Sequence, residues 1–149
     1  MATKNPATRK SIGRSLNFAT GRMNALCQRL LDPYDLTLPQ WVILSCLWRD
    51  GDLTVGTLSA QVGTGLPATS RIVERMEDRG LVFRRKHETD GRVSVVSLTD
   101  DGERLSHLSD FHERINDMLF EGLSEEEQAF AFSLLQRLHA NAEHALGQA

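Results

Sequence analysis

The strongest constraint on the fold is a glycine-rich turn between two short helical patterns, followed by two runs of β-forming residues. Gly63-Thr64-Gly65 is a tight turn, and Pro67 suits the first turn of the helix that follows it. Residues 81–85 and 93–98 are rich in β-formers and are joined by a polar segment containing Asp90-Gly91. This order predicts a helix, a turn, a second helix and a β-hairpin.

Four further helices surround this segment. Apolar residues recur at three- and four-residue steps over residues 11–31, which predicts the first helix, and Thr37 and Gln40 form a capping box that opens the second. Thr54 is the N-cap of the third helix, which is the helix before the glycine turn. Thr99 caps a fifth helix, whose apolar stripe is Leu105, Leu108, Phe111, Ile115 and Leu119. Ser124 opens a sixth helix that is predicted to bury Phe130, Leu134, Leu135 and Leu138. The fold class is therefore mainly α with a small β-hairpin wing, a winged helix-turn-helix.

The fourth helix is suited to entering a groove of double-stranded DNA. Its leading residues, Pro67, Ala68 and Thr69, are small, so the helix can approach a major groove about 12 Å wide. Outward-facing Arg71 and Arg75 would then reach base edges or phosphates. The alternative is a solvated helix face, in which these arginines pair with neighbouring acidic residues.

The hairpin adds a second basic element. Arg84, Arg85 and Lys86 lie on its first strand, and Arg92 lies at its tip beside Asp90, where an ion pair would hold the arginine extended. A guanidinium at such a tip is attracted to the negative potential of a narrow, A·T-rich minor groove. Arg84, Asp90 and Arg92 are therefore the predicted DNA-binding residues of the wing. Specificity should be divided between the fourth helix and the wing.

The charge distribution agrees with a basic face on an acidic protein. Net charge is −3, yet residues 1–31 carry six Lys or Arg and no acidic residue. Residues 66–98 carry seven basic and five acidic residues, whereas residues 99–149 are strongly acidic. Segregated charge of this kind allows nucleic-acid binding despite the acidic total.

Other classes of function find little support. There is no phosphate loop, dinucleotide fingerprint, Gly-x-Ser-x-Gly or His-Glu-x-x-His motif, so we expect no enzyme and no cofactor. Two histidine pairs, His107 with His112 and His139 with His144, have a spacing of five rather than four, which does not favour a metal site. No apolar run is long enough to span a membrane, and we expect a cytoplasmic protein.

Several stretches together resemble the MarR family of bacterial transcriptional regulators. They are residues 36–41, residues 69–82, Asp90-Gly91-Arg92 and residues 98–102, within a resemblance that covers residues 11–147. The wing departs from the family pattern Asp-x-Arg-Asp-x-Arg, because His87 and Thr89 replace its first Asp and Arg.

The resemblance implies a role for each part of the chain. The helix that carries Arg71 would read the major groove, and Arg92 would enter the minor groove. The first, fifth and sixth helices would build a homodimer. A small aromatic or phenolic ligand would enter a cleft near Cys27, Trp41 and His107.

We therefore expect one MarR-like domain over residues 1–149. Residues 37–98 would form the DNA-binding lobe, and residues 11–31 and 99–147 the helical dimerisation lobe. The expected function is a homodimeric repressor that a small molecule releases from a palindromic operator. Two alternatives remain: a redox-sensing regulator that uses Cys27 or Cys46, and a winged-helix module that binds protein instead of DNA.

Overall fold

The computed structural model describes residues 10–148. Contacts divide the chain into two compact units, the first ending at Asp110 and the second beginning at Phe111. The first unit contains the predicted winged segment and also the first helix, α1 (Ile12–Leu31). The assignment of α1 to a dimerisation lobe stays a prediction.

The helix boundaries follow the capping signals in the sequence. The side chain of Ser11 caps α1, and a 3-10 turn, Asp32–Tyr34, follows this helix. Both halves of the predicted capping box are present at the start of α2 (Leu38–Asp50). Thr54 accepts a hydrogen bond from the backbone N–H of Thr57 and so begins α3 (Val55–Val62).

Helices α3 and α4 (Leu66–Asp78) are separated by the predicted glycine turn. Gly63 has φ of 74°, a left-handed conformation that costs a glycine little. The chain can therefore reverse within three residues, and α4 packs against both α2 and α3. The helix-turn-helix prediction is confirmed.

The wing belongs to a three-stranded antiparallel sheet. Strand β2 (Val82–Lys86) pairs with β3 (Ser94–Leu98), and the other side of β3 pairs with β1 (Leu53–Thr54), giving the order β1-β3-β2. Arg84 lies opposite Val96 in this register. The hairpin prediction is confirmed, whereas β1 was not predicted, because two residues carry no readable alternation.

The core of the first unit is formed by the inward faces of the helices and of β3. Its members share near-complete burial; the largest are Leu31, Leu36, Ile43, Leu44, Leu47, Leu58, Met76 and Leu108. Two indole N–H groups are satisfied there by backbone carbonyls: Trp41 donates to Leu108 at 2.9 Å and Trp48 to Gly102 at 3.0 Å. These bonds attach α2 to the segment that follows the wing.

The prediction of one continuous fifth helix is wrong. Thr99 does cap α5, but α5 (Asp100–Arg104) is followed by a 3-10 turn (Ser106–Leu108), and α6 (Phe111–Leu119) is a separate helix. Leu105 and Leu108 donate to carbonyls three residues back, which tightens the backbone. Apolar spacing of three to four residues fits either geometry, so the sequence pattern did not distinguish them.

The second unit consists of α6 and α7 (Glu125–Gly147). The capping box predicted at Ser124 is formed, and the rings of Phe120 and Phe132 meet edge-on at 5.4 Å. The prediction that α7 buries its apolar stripe is wrong for a single chain. Three of the four named residues are exposed and the fourth is only half-buried: Phe130, Leu134, Leu135 and Leu138.

Candidate nucleic-acid interface

The first turn of α4 is held to the preceding loop by threonine hydroxyls. The Thr69 hydroxyl lies 2.8 Å from that of Thr64 and donates to the carbonyl of Gly65 at 3.1 Å. Thr69 is 0% exposed, so the prediction that it faces outward is wrong. The hydrogen bonds explain the error, because a threonine can be buried when nearby residues satisfy its hydroxyl, as Thr64 and Gly65 do here. Pro67 is exposed and Ala68 is half-buried, which leaves a low surface at the start of the helix.

Arg71 and Arg75 lie on the exposed side of α4. The Nε of Arg71 donates to the carbonyl of Pro67 at 3.4 Å. Within residues 10–148, neither arginine forms an ion pair with Glu74, Glu77 or Asp78. The alternative of a self-neutralised helix face is therefore not observed, and both charges are available to a phosphate or a base.

Arg84 is bound to α4 rather than projecting into solvent. Its Nε lies 2.8 Å from Oε2 of Glu77, and its Nη1 donates to the hydroxyl of Ser70 at 3.2 Å. The backbone N–H of Arg84 donates to Oε1 of the same glutamate at 2.8 Å. Arg84 was predicted to be a DNA contact, and Glu77 was considered only as a partner of the α4 arginines, so the bonds from Arg84 to Glu77 and Ser70 were not predicted. The sequence signal for this pairing was that the acidic residue Glu77 lies seven positions before Arg84, on the other side of the Gly80 turn.

Arg85, the next residue on β2, pairs with the loop before β1. Its guanidinium lies 3.0 Å from Oδ2 of Asp52. The hydrogen bond from Arg85 holds the pKa of the Asp52 carboxyl below its ordinary value. Both side chains are about half exposed, so we expect the pair to contribute little to stability.

At the tip of the wing, two side chains accept hydrogen bonds from backbone N–H groups two residues ahead. Asp90 accepts a hydrogen bond from the backbone N–H of Arg92 at 3.0 Å, and the predicted ion pair between the two side chains is not formed. An Asx turn explains this arrangement, because a short carboxylate reaches the amide two residues ahead. His87 Nδ1 accepts from the N–H of Thr89 at 3.2 Å, so the two residues that depart from the family pattern bond to each other. The side chain of Arg92 remains exposed.

The wing and α4 border a common groove. A cavity of about 500 Å³ is lined by residues from the start of α3, the start of α4 and the second side of the hairpin, among them Pro67, Ser70 and Arg92. Arg92 therefore lies beside the same surface as the N-terminal turn of α4. This places the wing arginine and the helix on one face of the first unit.

The residues predicted to form a ligand cleft differ in exposure. Cys27 and Trp41 belong to the buried core, and burial raises the pKa of the Cys27 thiol. His107 is exposed, and its ring lies 5.7 Å from that of Tyr34. The groove of about 500 Å³ beside α4 is not lined by any of these three residues. The cleft stays a prediction.

One contact between α4 and the N-terminal part of the chain was not predicted. Arg79, at the end of α4, donates to the backbone carbonyl of Asp35 and lies 3.3 Å from its carboxylate. Asp35 adopts a left-handed conformation with φ of 53°. The last turn of α4 is therefore attached to the loop between α1 and α2.

Residues 10–148 lack two kinds of feature, a metal-binding cluster and a membrane-spanning helix. No group of three or more His, Cys, Asp or Glu side chains is placed to hold a metal ion. No helix in this part of the chain is long and apolar enough to cross a membrane.

Comparisons with known proteins agree on one family. The MarR family model matches residues 36–94. An uncharacterised HTH-type transcriptional regulator, YsmB of Bacillus subtilis, is 33% identical over 86% of this chain and 89% of its own length.

Two solved structures extend the likeness to most of the fold. Bordetella bronchiseptica BpsR, whose DNA binding is regulated by 6-hydroxynicotinic acid, is 25% identical with a TM-score of 0.77, covering 87% of this chain and 99% of its own. The PcaV transcriptional regulator of Streptomyces coelicolor, solved with its natural ligand, is 28% identical with a TM-score of 0.77, covering 95% and 99%. With its winged helix and exposed α4 arginines, this chain belongs to the MarR family of DNA-binding transcriptional regulators, which are not enzymes.

Proposed function

We propose that the protein is a homodimeric repressor that binds a palindromic operator in the cytoplasm and leaves it when a small aromatic molecule binds. The observation that carries the proposal is the groove that the start of α4 shares with Arg92 of the wing, together with the exposure of Arg71 and Arg75 on α4. These charges can act on DNA without first breaking an ion pair with a neighbour.

The two elements suit different grooves. Helix α4 begins with a low surface at Pro67 and Ala68, so its arginines can approach base edges in a major groove. Arg92 projects from a turn braced by Asp90, and a narrow minor groove attracts such a guanidinium by its potential. In a twofold dimer, two α4 helices about 34 Å apart would read half-sites spaced by about 10 base pairs.

Binding should be measured with the DNA upstream of the protein's own gene and with a scrambled duplex, each at two salt concentrations. We expect the upstream duplex to bind more tightly, with an affinity that falls steeply as salt rises. Arg92→Ala should lose affinity mainly for operators with A·T-rich flanks. Arg104→Ala, which removes one charge outside α4 and the hairpin, serves as the matched control.

Each outcome has a definite meaning. An upstream duplex that Arg92→Ala binds as tightly as the wild type, with the same ranking of flanks, would reject minor-groove insertion. Equal binding of both duplexes with no salt dependence would favour the alternative of a protein-binding module.

The release step is supported by two relatives: DNA binding by BpsR is regulated by 6-hydroxynicotinic acid, and PcaV was solved in complex with its natural ligand. It is tested by calorimetric titration of a panel of aromatic and phenolic acids against the free protein, followed by the DNA-binding assay with any acid that binds. We expect at least one acid to bind and to lower operator affinity. A panel that gives neither heat nor a shift in melting temperature would count against release by this class of ligand.

A further inference from the structure

The Arg84 side chain reaches two places on α4 that are two helical turns apart. Ser70 and Glu77 are separated by seven residues, about 10 Å along a helix axis, and lie on the same face. Arg84 donates to both, at 3.2 Å to the Ser70 hydroxyl and at 2.8 Å to the Glu77 carboxylate. A single residue of the wing is therefore anchored near the start and near the end of α4.

Glu77 is anchored to the wing at two points as well. Its Oε2 accepts from the guanidinium and its Oε1 from the backbone N–H of Arg84, both at 2.8 Å. Binding the backbone fixes the strand itself, which a bond between side chains alone would not do. Charge-assisted bonds of this geometry are the stronger class of hydrogen bond.

The three wing arginines differ in how firmly they are held. The side chains of Arg84 and Glu77 are 30% and 27% exposed, whereas those of Arg85 and Asp52 are 43% and 50% exposed. Arg92 is exposed, and within residues 10–148 its side chain forms no ion pair. Arg84 is thus the most firmly held arginine of the three.

We infer that Arg84 is a positioning residue and not a DNA contact. Together with Ser70 and Glu77 it forms a clamp that fixes the distance between α4 and the wing. This inference rests on the proposed function, because the clamp matters only if α4 and Arg92 bind DNA at the same time. A fixed distance restricts the operators on which both contacts can be made.

The physical consequence is a separation of specificity from general affinity. If the wing is preorganised, binding a matching operator costs little conformational entropy. A loosened wing still contacts phosphates on any duplex, but it no longer penalises an operator whose minor-groove site is displaced. The clamp should therefore alter the ratio of operator to scrambled affinity and leave the salt dependence unchanged.

The test uses the full-length protein and the duplex that the wild type selects from a random pool, compared with a scrambled duplex. Arg84→Lys keeps the charge but replaces two separate donor nitrogens, Nε to Glu77 and Nη1 to Ser70, with a single ammonium nitrogen. We expect it to reduce the affinity ratio about tenfold, the size of coupling seen between directly interacting residues. A second duplex, with its A·T-rich flank moved by one base pair, should be discriminated by the wild type and not by this variant.

Two further variants, Glu77→Gln and Arg84→Gln, distinguish the clamp from a direct contact between Arg84 and a phosphate. If Arg84 instead contacts a phosphate, Glu77→Gln frees it and raises affinity for both duplexes at an unchanged ratio, and Arg84→Gln lowers the salt slope by about one. For a clamp, Glu77→Gln lowers the ratio and Arg84→Gln leaves the slope at its wild-type value. Arg85→Lys, at the next position of β2, is the control and should keep the wild-type ratio.

The result also separates this inference from the proposed function. A wild type whose selected duplex binds no better than the scrambled one overturns both. A wild type that discriminates, while Arg84→Lys keeps the wild-type ratio and spacing preference, overturns the clamp alone. Near-ultraviolet circular dichroism of each variant shows whether the fold is intact, and Glu77→Gln provides the decisive ratio if Arg84→Lys is unfolded.

Discussion

At the scale of single residues, Gly102 lies so close to its neighbours that no side chain fits at this position of α5. A Cβ at this position would meet the backbone carbonyl of Leu81 and come within 2.9 Å of Cδ2 of Leu98. The carbonyl of Gly102 also accepts the indole N–H of Trp48. The glycine is therefore required by the close approach of α5 to the sheet, although its φ is not in the left-handed region.

Gly102→Ala should reduce the free energy of unfolding by more than about 2 kcal/mol, because the neighbour that must move is backbone. Urea unfolding of the purified variant measures the loss. The control is Gly56→Ala in α3, where an added Cβ meets only ordinary contacts. We expect the control to be neutral or up to about 1 kcal/mol more stable, because alanine favours a helix. Equal stability of the two variants would contradict the packing argument.

Cys27 should be a poor redox sensor. Burial raises the pKa of its thiol, so the reactive thiolate is scarce in the folded chain. The unfolded chain ionises near the ordinary thiol pKa of about 8.5 while the folded chain does not, so this group removes stability as pH rises above that value.

Alkylation with iodoacetamide at pH 8, followed by mass spectrometry, measures the reactivity of Cys27. We expect slow labelling in native buffer and fast labelling of the same protein in urea. Rapid native labelling, or conversion of Cys27 by dilute peroxide, would revive the redox-sensing alternative.

At the scale of elements, α4 carries the expected base readout. Arg71 is exposed, and its bond to the carbonyl of Pro67 is long, at 3.4 Å, so its guanidinium can turn toward a base. Arg71→Ala should weaken operator binding by about 1 to 3 kcal/mol and relax preference at one base pair. Binding to a set of single-base operator variants measures this. A loss that is equal on every sequence would assign Arg71 to a phosphate.

The sequence predicted elements better than it predicted contacts across them. Thr37, Thr54, Thr99 and Ser124 all act as the N-caps that local spacing indicated, because a cap depends on residues within three positions. Thr69 was predicted to face outward and is buried, and the bond between Arg84 and Glu77 was not predicted, because both depend on partners across a turn, Thr64 and Glu77. The division of the fifth helix was not predicted, because a 3-10 turn and an α-helix produce similar spacings of apolar residues.

At the scale of the whole molecule, α7 leaves several large apolar side chains exposed in the single chain. Phe130 is 62% exposed, and Phe132 and Leu135 are about half exposed. Such residues on one helix are typical of a surface that a partner covers. This observation supports the proposed homodimer, whose twofold symmetry would present two α4 helices to a palindrome.

Phe130→Glu should convert a dimer into a monomer, because a dimer that covers α7 would then bury a carboxylate without a partner on each chain. Sedimentation velocity over a hundredfold range of concentration measures the change, and far-ultraviolet circular dichroism checks that the helices remain. Ser133→Glu, at an exposed polar position of α7, is the control. A wild type that sediments as a monomer would refute the dimer.

The bond between Glu77 and the backbone N–H of Arg84 has a consequence for solubility. Strand β2 is an edge of the sheet, because the order is β1-β3-β2. An edge strand normally offers free N–H groups to another chain, and this is how sheets join and aggregate. At Arg84 that outward N–H is already occupied by a carboxylate, so the middle of the edge cannot be extended by a strand from a neighbouring molecule. We therefore expect Glu77 to hinder the addition of a strand at this position of the open edge, besides its proposed part in the clamp.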